Sequence, residues 1–106
     1  MAARIFVSAQ ARLLDIWDYT ERTWGTRQAD AYLRGLAAAI NKAQTSRSLW
    51  RSVGDEQLPG VFYFHHRHHF IFFRQLSTEE IGVISVLHES MDLPARLRED
   101  AATLED

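Results

Sequence analysis

Cysteine is absent from the 106-residue chain. That excludes a disulfide framework, a thiolate zinc site and a cysteine nucleophile, and with them thiol redox chemistry. Lysine is nearly absent too, one Lys standing against eleven Arg, and the planar guanidinium fork suits bidentate contacts to carboxylates or phosphates. No apolar stretch approaches the ~20 residues of a membrane-spanning helix. The opening Met1-Ala2-Ala3-Arg4-Ile5-Phe6 lacks the apolar region of a signal peptide, so a cytoplasmic location is expected and no membrane partner. There is no P-loop, dinucleotide-binding glycine fingerprint, HExxH, GxSxG or EF-hand loop, hence no strong signature of a small-molecule enzyme and no expected cofactor.

What is present suits one globular domain over residues 1–106. Hydrophobic residues make up 46% and charged residues 25%, with three Trp, three Tyr and six Phe, and a chain of this length buries somewhat over ~60% of its extended surface. The net charge of -2 is unevenly spread. Through Gln75, ten basic residues face six acidic ones (+4); from Leu76 onward, two face eight (-6). A protein relying on phosphate neutralisation would carry a denser basic stripe, so direct sequence-specific nucleic-acid binding is not expected and a protein partner fits at least as well.

The apolar run Arg4 to Val7 predicts a first strand, with Ser8 placed to cap a following helix. Ala9, Leu13, Ile16, Trp17, Thr20 and Trp24 recur at helical spacing until Gly25. Thr26 is a second candidate cap, and Ala29, Tyr32, Leu33, Leu36, Ala37, Ile40 and Ala43 trace another stripe to about Ser46. The two helices make a hairpin. Residues 46–59 read as a loop with Trp50 folded back beneath it. Val61 to His65, His69 to Leu76 and Ile81 to His88 then read as three strands of an antiparallel meander. Asp92-Leu93-Pro94 opens a short terminal helix, followed by an acidic tail, over about 93–106. The expected fold is α+β, in the order β-α-α-β-β-β-α, with the helical hairpin packed on a small, mainly antiparallel sheet.

Strict alternation in Ile81 to His88 puts Ile81, Val83, Ser85 and Leu87 on one face and Gly82, Ile84, Val86 and His88 on the other, so both faces are largely apolar. Phe70-Ile71-Phe72-Phe73 has the same two-sided character, unlike the usual in-out pattern of an antiparallel sheet. Two helices cover one face. The other is expected either as an exposed binding patch, with Phe70, Phe72, Ile84 and Val86 as candidate partner contacts, or as a face covered by the terminal helix and the long loop.

Two clusters raise chemistry. His65-His66-Arg67-His68-His69 resembles a metal-binding run, but hairpin alternation sends neighbouring imidazoles to opposite faces and too few ligands converge. A solvated turn and no metal site are expected. His88, ending the last strand, has the right chemistry for a general base, with Arg67 and Arg74 as possible phosphate contacts. General acid-base work needs positioned partners, and no Tyr or Lys lies close by in sequence, so a hydrogen-bonding role for His88 is favoured.

Leu14-Asp15-Ile16-Trp17-Asp18-Tyr19, then Trp24-Gly25, then Gln28-Ala29-Asp30-Ala31-Tyr32 resembles the first half of ParE-type toxins of the RelE/ParE superfamily. Pro59-Gly60, Phe70-Ile71-Phe72-Phe73-Arg74 and Ile84-Ser85-Val86-Leu87-His88-Glu89-Ser90-Met91-Asp92 resemble its second half. The resemblance runs from about Ile5 to Leu97. It implies the toxin of a type II toxin-antitoxin pair, not an enzyme, which binds DNA gyrase, blocks replication and is neutralised by a cognate antitoxin. The alternatives are a RelE-like ribosome-dependent mRNA endonuclease, whose catalytic residues would be His88, Arg74 and Arg67, and a non-toxic binding module. Against the endonuclease, Val61, Phe62 and Tyr63 follow the Pro-Gly pair where RelE-type members commonly carry an Arg. Glu89 follows the His, and no Tyr occurs after Tyr63. Phe62 also departs from the Arg often found there in ParE relatives.

Overall fold

The computed structural model describes residues 2–104. Strand β1 (Arg4–Ile5) leads into helix α1 (Val7–Trp24), which turns back through helix α2 (Thr26–Gln44). A 3-10 turn at Arg47–Leu49 and strand β2 (Arg51–Ser52) precede β3 (Val61–His66), β4 (His69–Gln75), β5 (Ile81–His88) and helix α3 (Leu93–Ala102). The α+β expectation holds. The strand count differs, because the 46–59 segment contains β2 rather than loop alone. A two-residue strand has no periodicity to detect.

The helix starts also differ in detail. Phe6 occupies the cap position of α1 without a side-chain cap bond, while the Ser8 hydroxyl donates across to the Ile84 carbonyl at 2.6 Å. Gly25, rather than Thr26, separates the helices: its N–H donates to Glu21 O at 2.8 Å and its carbonyl accepts from Ala29 N at 3.1 Å. That double role needs φ of 94° at Gly25, a region open to glycine and costly for other residues.

The sheet runs β1-β5-β4-β3-β2. β1 pairs parallel with β5 and the other neighbours are antiparallel. The register of β4 with β5 slips once, Phe72 facing Ser85 and Phe73 facing Val83. Ile84 is therefore an extra residue, a β-bulge, and strict alternation fails there. Val83 and Val86 both pack with Ile71 and Phe73 against the helical hairpin, whereas Ile84 and Leu87 pack with Phe72 on the opposite face. The Ser8 hydroxyl satisfies the bulge carbonyl. Gly82 lies beneath Phe6, where an added Cβ would come within 2.6 Å of the ring.

Both faces are covered. Leu36, Ile40 and Ala43 of α2 and Ala9 of α1 close one. Leu97 of α3 closes the other over Phe6, Val61, Phe72, Ile84 and Leu87. α3 begins with the Asp92 carboxylate accepting from Ala95 N and with Pro94 in its first turn. It is clasped by buried Asp100, which accepts from Arg12 Nε at 2.9 Å, Arg12 Nη2 at 3.1 Å and Ser85 Oγ at 2.5 Å. The carboxylate holds the Arg12 guanidinium above its usual pKa. One side chain of α3 thus binds both α1 and β5.

Candidate functional site

The four candidate contacts do not form one open patch. Phe72, Ile84 and Val86 are buried, and only Phe70 is half-exposed. The difference has two causes. The bulge rotates Val86 onto the hairpin face, and α3 covers Phe72 and Ile84. What stays open is a groove of about 330 Å³ between the start of α3 and the outer strip of β3 and β4. Tyr63 and Phe70 form its aromatic wall, Leu93 and Leu97 the α3 side, and Val53 and Leu58 the end beneath the long loop. Arg98 and Asp55 close the rim at 2.8 Å. The Gln57 amide, then Arg98, holds the Asp55 carboxyl below its usual pKa. Tyr63 meets Phe70 edge-on at 5.8 Å, a favoured aromatic geometry, and His65 stacks on Phe70 at 4.5 Å.

The histidine run occupies the adjacent end of the sheet, where Arg67 takes a left-handed φ of 54° in the β3–β4 turn. Neighbouring residues divide between faces, as alternation requires. His65 and His68 sit on opposite oxygens of Glu89, at 3.1 and 3.5 Å. They, first through the His65 hydrogen bond, hold the Glu89 carboxyl low. His69 is not solvated as the turn reading has it: it is buried beneath Tyr32 of α2. The Tyr32 hydroxyl and His69 Nδ1 lie within hydrogen-bond distance, 2.6 Å apart. Burial holds the His69 pKa down at about 4, so the ring is neutral near pH 7. Desolvation, followed by the charge of Arg67, also lowers His66. Tyr32 is the functional-type residue that sequence proximity misses, since 37 positions separate it from His69.

His88 faces His69 across the ladder, and its Nδ1 lies 2.7 Å from Ser90 Oγ. Arg67 is in the nearby turn. Arg74 is not. It pairs with Gly82 and Val61 near the far end of β4, roughly 17 Å along the strand from His69 at ~3.3 Å per residue. His88, Arg67 and Arg74 therefore do not converge on one point. Among the described residues, no group of three or more His or acidic side chains is arranged to hold a metal ion, and no helix is long and apolar enough to cross a membrane.

Residues 4–93 match the family described as ParE toxin of type II toxin-antitoxin system, parDE. The chain belongs to the ParE toxin family. It is 38% identical over 99 residues to Toxin ParE1 of Mycobacterium tuberculosis H37Rv, covering 92% of this chain and all of that one. It is 37% identical over 95 residues to Toxin ParE1 of Caulobacter vibrioides, covering 89% and 95% of the two chains. It is 32% identical over 89 residues to Toxin ParE of Escherichia coli, covering 84% and 85%. Among solved structures, a chain of the chromosomal ParDE system from P. aeruginosa superposes with a TM-score of 0.67, at 19% identity, over 83% of this chain and 95% of that one. That match speaks to the ParE fold alone.

Proposed function

We propose that this ParE-family chain acts in the bacterial cytoplasm by binding DNA gyrase and blocking replication, without cutting nucleic acid, and that a cognate antitoxin neutralises it. The observation supporting binding over cleavage is the separation of His88 from Arg74. Phosphodiester cleavage needs a base, an acid and a phosphate contact around one phosphorus. Here the His end carries neutral His69 and a carboxylate, Glu89, which repels phosphate. The P. aeruginosa neighbour comes from a toxin-antitoxin system, which supports an antitoxin partner here. Phe70 and Tyr63, the half-exposed aromatics of the α3 groove, are the proposed anchors for it. The test is to add purified protein to gyrase supercoiling and to ribosome-bound mRNA in parallel. Loss of supercoiling with intact mRNA is expected. Cleaved mRNA that becomes intact with His88→Ala would establish the endonuclease instead.

A further inference from the structure

β3 has a strand neighbour on its outer side for only part of its length. β2 places Arg51 opposite Tyr63 and Ser52 opposite Phe62. Beyond β2, Val53 N donates to Val61 O at 3.0 Å, and Val61 N donates to Leu58 O at 3.4 Å. Both backbone groups of Val61 thus point outward, away from β4. Alternate residues of a strand point their N–H and C=O the same way. Tyr63 and His65 therefore also point outward, while Phe62, Phe64 and His66 point to β4. Because β2 begins at Arg51, opposite Tyr63, no strand among the described residues reaches the N–H and C=O of His65.

A groove of about 520 Å³ runs beside this open edge. Phe64 contributes to its lining from the hairpin face, and Tyr63 and Phe70 from the α3 face. Tyr63 and Phe70 also line the α3 groove, so the two depressions meet across the sheet edge. Leu49, 41% exposed, stands on the outer wall. The charged residues of the lining are Lys42 and Arg51, with His65 and His66 beside them; the neighbouring carboxylate, Glu89, lies outside the lining and is paired with His65. Among the described residues, neither Lys42 nor Arg51 makes an ion pair.

Charged side chains commonly shield an unpaired edge from other strands. Cations alone repel a basic strand and attract an acidic one, so the same device selects a partner. We infer that the His65 edge takes an extended acidic segment of the antitoxin as an added strand, with carboxylates toward Lys42 and Arg51 and apolar side chains over Phe64 and Tyr63. The main chain supplies affinity, and the alternating side chains supply choice. The inference rests on the antitoxin reading for the identity of its occupant.

The probe is a short synthetic peptide of alternating Glu and Val with blocked ends, titrated into isotope-labelled full-length protein. The His65 amide is expected to shift and to gain protection from exchange. The same peptide with Lys for Glu, or the Lys42→Glu, Arg51→Glu double variant, is expected to bind at least about tenfold more weakly, since one such factor is ~1.4 kcal/mol. Equal binding of both peptides, shifts centred on α1, or an unmoved His65 amide would overturn the inference. The peptide comparison on the unaltered protein stands even if the double variant does not fold. A second arm uses the complex with a neutralising antitoxin. A neutralised toxin whose His65 amide still exchanges freely sinks the edge and leaves the antitoxin reading intact. Binding of the acidic peptide by a chain that no antitoxin neutralises sinks the antitoxin reading alone.

Discussion

The Tyr32 hydroxyl and His69 Nδ1 hydrogen-bond across 2.6 Å, fastening α2 to the first residue of β4. Tyr32→Phe removes the hydroxyl and leaves a buried ring nitrogen unpaired. The expected loss is about 1–2 kcal/mol of stability, read from urea midpoints near pH 7.

Acid should weaken the fold through His69. Its pKa is about 4 when folded, against the ordinary histidine value of 6.5, so between those values the unfolded chain holds more protons. Stability is then fully present above the unfolded pKa and is lost as pH falls from about 6.5 toward about 4. The lost amount should not exceed about 3.5 kcal/mol at ~1.4 kcal/mol per pH unit. His66, also lowered, acts in the same sense. Unfolding free energies measured at pH 7 and pH 5 should differ in the wild type, and by clearly less in His69→Gln.

His65 and His68 should behave oppositely to His69. Both are exposed and pair with an exposed carboxylate, so replacing the two with Asn is expected to change stability by under ~0.5 kcal/mol. A large drop in melting temperature for that pair would mean that the Glu89 contacts hold the turn.

The α3 clasp gives a third kind of outcome. Asp100→Ala leaves Arg12, whose side chain is 21% exposed, without its carboxylate, and should cost on the order of 2–4 kcal/mol. Replacing Arg12 with Met and Asp100 with Leu together should recover most of that loss, because the cost of the single change lies in the stranded charge. A double variant no more stable than Asp100→Ala would assign the effect to the Ser85 hydrogen bond.

Phe70→Asp and Ile84→Asp separate binding from folding. Half-exposed Phe70 should tolerate the charge, keep its circular dichroism and lose antitoxin affinity by at least about tenfold. Ile84 is fully buried, and an unpaired carboxylate there should prevent folding. Unchanged affinity in folded Phe70→Asp would move the antitoxin off the α3 groove.

The helices are legible in the sequence because each repeats its period several times, with Leu36, Ile40 and Ala43 every three or four residues, and the three longer strands because they are runs rich in β-branched and aromatic residues, such as Phe70 to Phe73. The likeness to ParE toxins is legible for the same reason, being spread over most of the chain. The bulge is not. One residue of phase change leaves a run such as Ile81 to His88 apolar in either reading, so strict alternation assigns Val86 to the wrong face. The cover over Phe72 and Ile84 is visible in the sequence only as an alternative, since Arg12 and Asp100, the pair that fixes α3, stand 88 positions apart. The pairing of Tyr32 with His69 is hidden similarly, by the loop between α2 and the sheet.

The bulge also makes β5 unequal in its tolerance of altered length. Without Ile84, Val83 and Ser85 would become adjacent, and they already lie opposite the adjacent residues Phe73 and Phe72. Excision there would cost a buried side chain and the carbonyl that Ser8 grips, yet every cross-strand partner would survive. Removing Val86 instead would put its successors out of step, turning Leu87 toward the hairpin and carrying His88 away from His69. The strand has, in effect, a change of reading frame already written into it, and a gap in an aligned relative is expected at that position before any other in β5.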